Sequence, residues 1–322
     1  MTNSYSQQTY RENQDLYYRP KRRKISTLII AKKTLLFDLF SIQKLLASVF
    51  FMLIVPIVAH SLVTVPADTS IFDEGYLSFI IYFYTYGLVF PIIIVASAGP
   101  LISEEVNSGT MLILVSKPID RTRIMIGKFI ALILFGMILS ICTLSIISIM
   151  ASMSYSTGEI PLFFGIFFIY SMCVLLFFGG FTLGLSGIFK KPKNVLLLPL
   201  LIVIFTFLIM FIFRPMLIMS EAYEDYQLYH LDIGYHLGNI YLGIVETFIP
   251  TIWEVEQFIT VFAYFGLLKF EWIYNEQGYP IGTETNPSQY YPPSISFLLM
   301  TMMAMILLVI GTFMYYKREV SV

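Results

Sequence analysis

The sequence predicts an all-α integral membrane protein with six transmembrane helices, an interfacial helix near the N-terminus, and a long outer loop carrying interfacial or re-entrant helices. Three observations predict it. Of 322 residues, 57% are apolar and only 13% charged, about half the charged share of an ordinary soluble domain. The apolar residues gather into six runs long enough to cross a hydrocarbon core of roughly 30 Å at 1.5 Å rise per residue. When those runs are threaded with the N-terminus inside, every Lys and Arg except Arg214 and Lys269 falls on the inner side.

Residues 1–24 are rich in Tyr, Gln, Asn and Arg, lack an apolar period and end in the basic cluster Arg19, Lys21, Arg22, Arg23 and Lys24. They read as a disordered cytoplasmic tail, and no cleavable signal is expected from a start of this kind. Residues 25–44 follow a helical period. Leu28, Leu35, Leu36, Leu39 and Ile42 share one face, and Lys33, Thr34, Asp38, Ser41 and Lys44 share the other, with Lys32 and Phe37 out of pattern. This suits a helix lying in the inner interface, its lysines reaching towards headgroups.

The six spans are expected at about 45–65, 77–98, 128–150, 161–189, 194–213 and 294–316. Pro56 and Pro91 fall inside spans, where neighbouring helices can satisfy the carbonyls they free. The tail, the 99–127 loop, the 190–193 loop and the C-terminus hold the basic residues, so Lys32, Lys33, Lys128, Lys190, Lys191, Lys317 and Arg318 are expected as membrane-interface anchors. The outer loops hold most of the acids, including Asp68, Asp73, Glu74, Glu221, Glu224 and Asp225. The positive-inside rule therefore places both termini in the cytoplasm of a multi-pass plasma-membrane protein.

The outer segment, about 214–293, contains the apolar stretch 257–268, which is too short to span. Glu246, Glu254 and Glu256 interrupt any longer version. Interfacial or re-entrant helices separated at Pro250 are expected, then a Tyr/Pro/Gly-rich loop. Ten tyrosines in this segment fit a membrane-interface belt.

Several function classes are disfavoured. An ion-coupled carrier needs ionisable groups within its spans, and the central span cores hold no Asp, Glu, Lys or Arg, with His60 alone near an outer end. Gly184-Leu185-Ser186-Gly187 fits the GxSG pattern of rhomboid-like proteases. A serine nucleophile needs a base within reach, however, and His60, His230 and His236 all belong to the opposite side. Helix packing through small residues explains the stretch more simply. Glu104-Glu105 is similar to the Glu pair of CAAX-type membrane proteases, but Gly109 stands where those have Arg, and no His lies on the inner side. Gly127-Lys128 lacks the other elements of a phosphate loop. Cys142 and Cys173 lie in apolar runs without metal-ligand neighbours. A net charge of -1 gives no field to recruit nucleic acid. No catalytic residue, metal or cofactor is assigned to this chain.

The most distinctive stretch is residues 101–131, LISEEVNSGTMLILVSKPIDRTRIMIGKFIA. It reads as a short helix, a turn and the start of the third span. Ile102, Val106, Gly109 and Ile113 lie at helical spacing, and Glu104 and Glu105 occupy the opening turn, where the helix dipole favours acids. Ser116, Pro118 and Asp120 form the turn, Pro breaking the ladder and Asp capping the third span.

In Glu104 or Glu105, Gly109, Thr110, Leu114, Ser116, Pro118, Arg121, Gly127 and Lys128, this stretch resembles the permease subunits of ABC transporters of the type-2 (ABC-2) class. Val106 departs from the basic residue of many relatives. The N-terminal IAKKTLLFDLFSIQKLL is similar to the elbow helix that opens those permeases, and with the six-span plan the resemblance covers residues 25–320. It implies a single permease domain over residues 25–322 with a cytoplasmic coupling helix in the 101–127 loop, docked on a separate ABC ATPase subunit through Glu104, Glu105, Gly109, Thr110, Ser116, Pro118 and Arg121. It further implies ATP and Mg in that partner, a second copy or a homologous permease as dimer partner, and export, with lipidic or amphipathic cargo suiting the charge-free spans. A non-transporting membrane scaffold of the same fold is the alternative.

Overall fold

The computed structural model describes residues 27–62, 70–72, 75–108, 120–220, 222–274, 280–288 and 290–317; the expected tail lies outside them. In chain order the helices are α1 (Thr27–Lys33), α2 (Ile42–Leu62), α3 (Tyr76–Asn107), α4 (Arg121–Ala151), α5 (Thr157–Ile188), α6 (Pro192–Ile218), α7 (Ile233–Phe248), α8 (Glu256–Tyr264) and α9 (Pro293–Lys317). Six of them, α2 to α6 and α9, are long and apolar enough to cross a membrane, and they coincide with the six predicted runs. The chain is a multi-pass membrane protein. Its two ends are called here the basic face, where α1, the start of α4 and the end of α9 meet, and the hairpin face, which carries α7 and α8.

α1 runs on as a π-helical turn, Thr34–Leu39, and helical geometry stops at Phe40 (φ -87°, ψ 102°) before α2 begins. The helix predicted over 25–44 thus ends at Leu39. Leu28, Leu36 and Ile42 of its expected apolar face are exposed while Leu39 is buried. The side against the protein is instead made by Ala31 and Thr34, with Ile30 lying over Gly127 of α4.

The core is organised around α5, which packs against α3, α4, α7 and α9. Its Gly184 and Gly187 lie directly on the backbone of α9. A Cβ on Gly184 would sit 2.6 Å from the carbonyl of Leu307, and Gly311 returns the contact from α9. Small residues let two membrane helices approach until their dispersion contacts are continuous. The GLSG stretch therefore packs helices, as its small residues suggested.

α3 is π-helical over Ile81–Val89, where the N–H of Phe90 donates to the carbonyl of Thr85. Pro91 follows at once, with no N–H to give and a ring that crowds the preceding turn. The wider turn accommodates it. A second π segment, Phe205–Ile209 of α6, places Phe207 against Gly87 of the first.

On the hairpin face α7 is buried from Gly234 to Leu242. Tyr241 of α7 stacks among Tyr82 of α3 and Phe167 and Tyr170 of α5, so this helix enters the bundle without crossing it. A 3-10 turn, Pro250–Glu254, separates α7 from α8, as predicted at Pro250. Two readings of this region are corrected. The loop after α8 forms an antiparallel pair, β1 (Lys269–Tyr274) and β2 (Pro280–Ser288). Tyr223, Tyr235 and Tyr241 are fully buried and belong to the interior, because the helix that bears or adjoins them packs on the spans.

Arg214, one of the two cations left on this side, is also interior. Its Nε and Nη2 donate to the two oxygens of Asp232 at 2.6 and 2.9 Å, and its Nη1 donates to Phe265 O at 3.2 Å. Asp232 also accepts from Tyr223 at 2.8 Å, and from the Tyr235 N–H at 3.1 Å as N-cap of α7. Burial alone would raise its carboxyl pKa, but the Arg214 charge and these hydrogen bonds outweigh it and hold the group below the usual carboxylate range.

Candidate functional site on the basic face

α3 is longer than the roughly 20 residues a crossing requires. It is 32 residues long, and its last turns, Pro100–Asn107, continue past a bend at Gly99. Pro100 is the local cause, since it cannot donate to the ladder and suits the first position of a new helix. The first N–H groups of such a helix have no partners within it.

Here the partner comes from α5. The Ser186 hydroxyl donates to Gly99 O at 2.9 Å and accepts from the N–H groups of Ile102 at 3.2 Å and Ser103 at 3.0 Å. Ser103 Oγ adds a bond to Gly99 O at 2.7 Å. The donor and both acceptor sites of one hydroxyl are thereby used, and all the groups involved are buried. Ser186, which resembled a protease serine in sequence, is the N-cap of the 100–107 segment, supplied from another helix.

Lys128 is the second clasp. It was expected at the headgroups, yet it is 2% exposed. Its Nζ pairs with Glu105 Oε1 at 2.7 Å and also donates to Leu101 O. The reason is geometric: Lys128 is two turns into α4, on the face that meets α3. An internal carboxylate and carbonyl satisfy the ammonium where lipid would not.

The remaining predicted residues divide clearly. Glu104 is exposed and, with Asp38, Ser97, Pro100, Leu101, Glu105 and Ser108, lines a polar cleft of about 300 Å³. Asp38 comes from the π turn after α1, so that turn and the end of α3 share one opening. Arg121 does not line this cleft; its Nη1 donates to the carbonyls of Tyr315 and Tyr316, each at 3.1 Å, joining the start of α4 to the end of α9. Asp120 caps α4 through the Thr122 N–H at 3.1 Å, as its position before the span suggested. Lys32, Lys33, Lys190, Lys191 and Lys317 are exposed. Gly109, Thr110, Ser116, Pro118 and Arg318 lie outside the described residues.

Sequence reasoning missed two members of this site, Ser186 and Asp38. The Gly99-Pro100 pair at the end of a span was a signal that a helix start needed a cap there. Nothing local to residue 186 said that it would supply one.

Six spans, a short helix ahead of the first and a second span prolonged into a clasped, acid-tipped segment define a polytopic permease-like membrane protein. Over residues 24–320 the chain matches the family described as ABC-2 family transporter protein, and it belongs to that family. It is thus a membrane transport permease, as the 101–131 stretch had suggested. No curated protein matches the chain.

Proposed function

We propose that this chain is the membrane-spanning subunit of an ATP-driven exporter, and that the end of α3 receives the motion of a separate ATPase subunit. The basic face is then cytoplasmic, with both termini inside the plasma membrane, in keeping with the distribution of Lys and Arg. ATP and Mg belong to the ATPase, and two permeases, identical or homologous, enclose the path of the cargo. A lipidic or amphipathic cargo suits spans with charge-free centres.

The observation that carries the reading is the continuity of α3 with its clasps. A push on Glu104 is transmitted through one helix, and Ser186 and Lys128 tie that helix to α5 and α4 at the point of entry. A segment hinged freely at Gly99 would dissipate such a push, because coupling needs a packed element with few alternative arrangements.

The test is co-purification with an ABC ATPase subunit. Glu104→Arg and Gly109→Trp are expected to lower ATPase activity of the complex several-fold. Complexes of both variants that hydrolyse ATP like the wild type sink the coupling assignment. Absence of any ATPase partner favours a membrane scaffold instead. Orientation has a separate check: a cysteine at position 284 should be labelled from outside and one at position 117 only from inside.

A further inference from the structure

We propose that the groove between α4 and α9 on the basic face is a binding site for an anionic phospholipid, with one acyl chain along the groove and the headgroup at Lys317 and Arg121. The groove holds about 540 Å³ and is walled by Met125, Ile126 and Phe129 of α4 and by Leu308, Val309 and Phe313 of α9. Thr312 also lines it, its hydroxyl taken up by a bond to Leu308 O at 2.7 Å. From Thr122 to Phe129 the groove runs along about 10 Å of helix, most of the depth of one leaflet. A gap of this kind in a bilayer is filled by lipid tails, since an empty one forfeits the contacts of its whole lining.

What makes the site selective is its mouth. The Lys317 ammonium stands 4.5 Å above the centroid of the ring of Phe313, a groove residue, at the basic end of the groove. Arg121 is held beside it by the carbonyls of Tyr315 and Tyr316, the latter a groove residue. Arg123 adds a third cation to the same end of α4, whereas Asp120, the acid there among the described residues, is turned onto the Thr122 N–H. Basic pockets between membrane helices are suited to anionic headgroups. A second copy of the chain fits the mouth less well, because a symmetric interface would present the same cations from both sides. The assignment does not depend on ATPase coupling.

The full-length protein in mild detergent is offered equal dioleoyl phosphatidylglycerol and dioleoyl phosphatidylcholine, and bound lipid is counted by native mass spectrometry. Several-fold preferential retention of phosphatidylglycerol is expected. Lys317→Glu should bring the ratio close to one, and Thr312→Trp, which fills the groove, should lower retention of both lipids. Independently of any variant, phosphatidylglycerol bearing an acyl diazirine should crosslink to peptides containing residues 122–129 and 308–316. Equal retention of the two lipids, or crosslinks confined to other spans, overturns the proposal. So does a Thr312→Trp protein that keeps its lipid but loses a dimer, which would assign the groove to a second copy.

Discussion

At the hairpin face Arg214 meets Asp232 through two nearly parallel hydrogen bonds, whereas at the basic face Lys128 meets Glu105 through a single oxygen. The first pair is sealed, with side chains 5% and 1% exposed, and the second is half open, at 3% and 23%. Asp232 has a tyrosine and a backbone N–H in addition to its arginine, while Glu105 borders a polar cleft. A bidentate guanidinium fixes an angle as well as a distance; an ammonium fixes only a distance. One bundle thus contains a pair that fixes the angle at which α7 meets α6 and a pair that fixes only the distance between the end of α3 and α4.

The comparison breaks most readily at its stronger member. Asp232→Ala strands a buried guanidinium and should cost about 3–5 kcal/mol, seen as a large drop in thermal stability in detergent. A loss under about 1 kcal/mol, the size of one ordinary hydrogen bond, would show that the pair is not structural. Because the carboxyl of Asp232 is held below its unfolded value, its stabilisation is fully present above about pH 4 and fades only as pH falls through the lowered folded value. Lys128→Met is expected to cost less, about 1–3 kcal/mol, since it removes a single contact to Glu105 where Asp232→Ala removes two contacts to Arg214. Equal losses from the two substitutions would erase the distinction drawn between the faces.

Ser186→Ala should be milder still, about 1 kcal/mol, because the Ser103 N–H can fall back on the Gly99 carbonyl. Its signature is local: faster hydrogen exchange at Ile102 and Ser103, with α7 unchanged. Unaltered exchange there would mean that the hydroxyl does not cap the segment.

The smallest effect belongs to His236. Burial lowers its pKa, so the fold favours the neutral ring, and the unfolded chain binds the proton first as pH falls below about 6.5. Stability should therefore decline slightly on acidification from about pH 7, and His236→Gln should flatten that slope. A slope unchanged in the variant would assign it to another group.

How much of this was legible can be judged residue by residue. The six spans were, because lipid obliges a crossing segment to be a continuous apolar helix. The shortness of 257–268 announced a helix that is not one of the spans, and Asp120 announced its cap. The β1–β2 pair was not legible, since strand pairing depends on a partner and a register that neither segment states alone. Nor was the burial of Lys128: its position at the start of a span is the same whether it reaches lipid headgroups or a carboxylate on α3.

The sequence by itself thus determined where the chain crosses the membrane, which end gathers the cations and, through the 101–131 stretch, the family. Those properties follow from transfer of single segments between water and lipid. Tertiary structure alone decided that Ser186 of α5 caps the end of α3, that Glu105 owns Lys128, and that α4 and α9 diverge into a groove. These are relations between side chains far apart in the chain, and hydrogen-bond geometry assigns them only once the helices are packed.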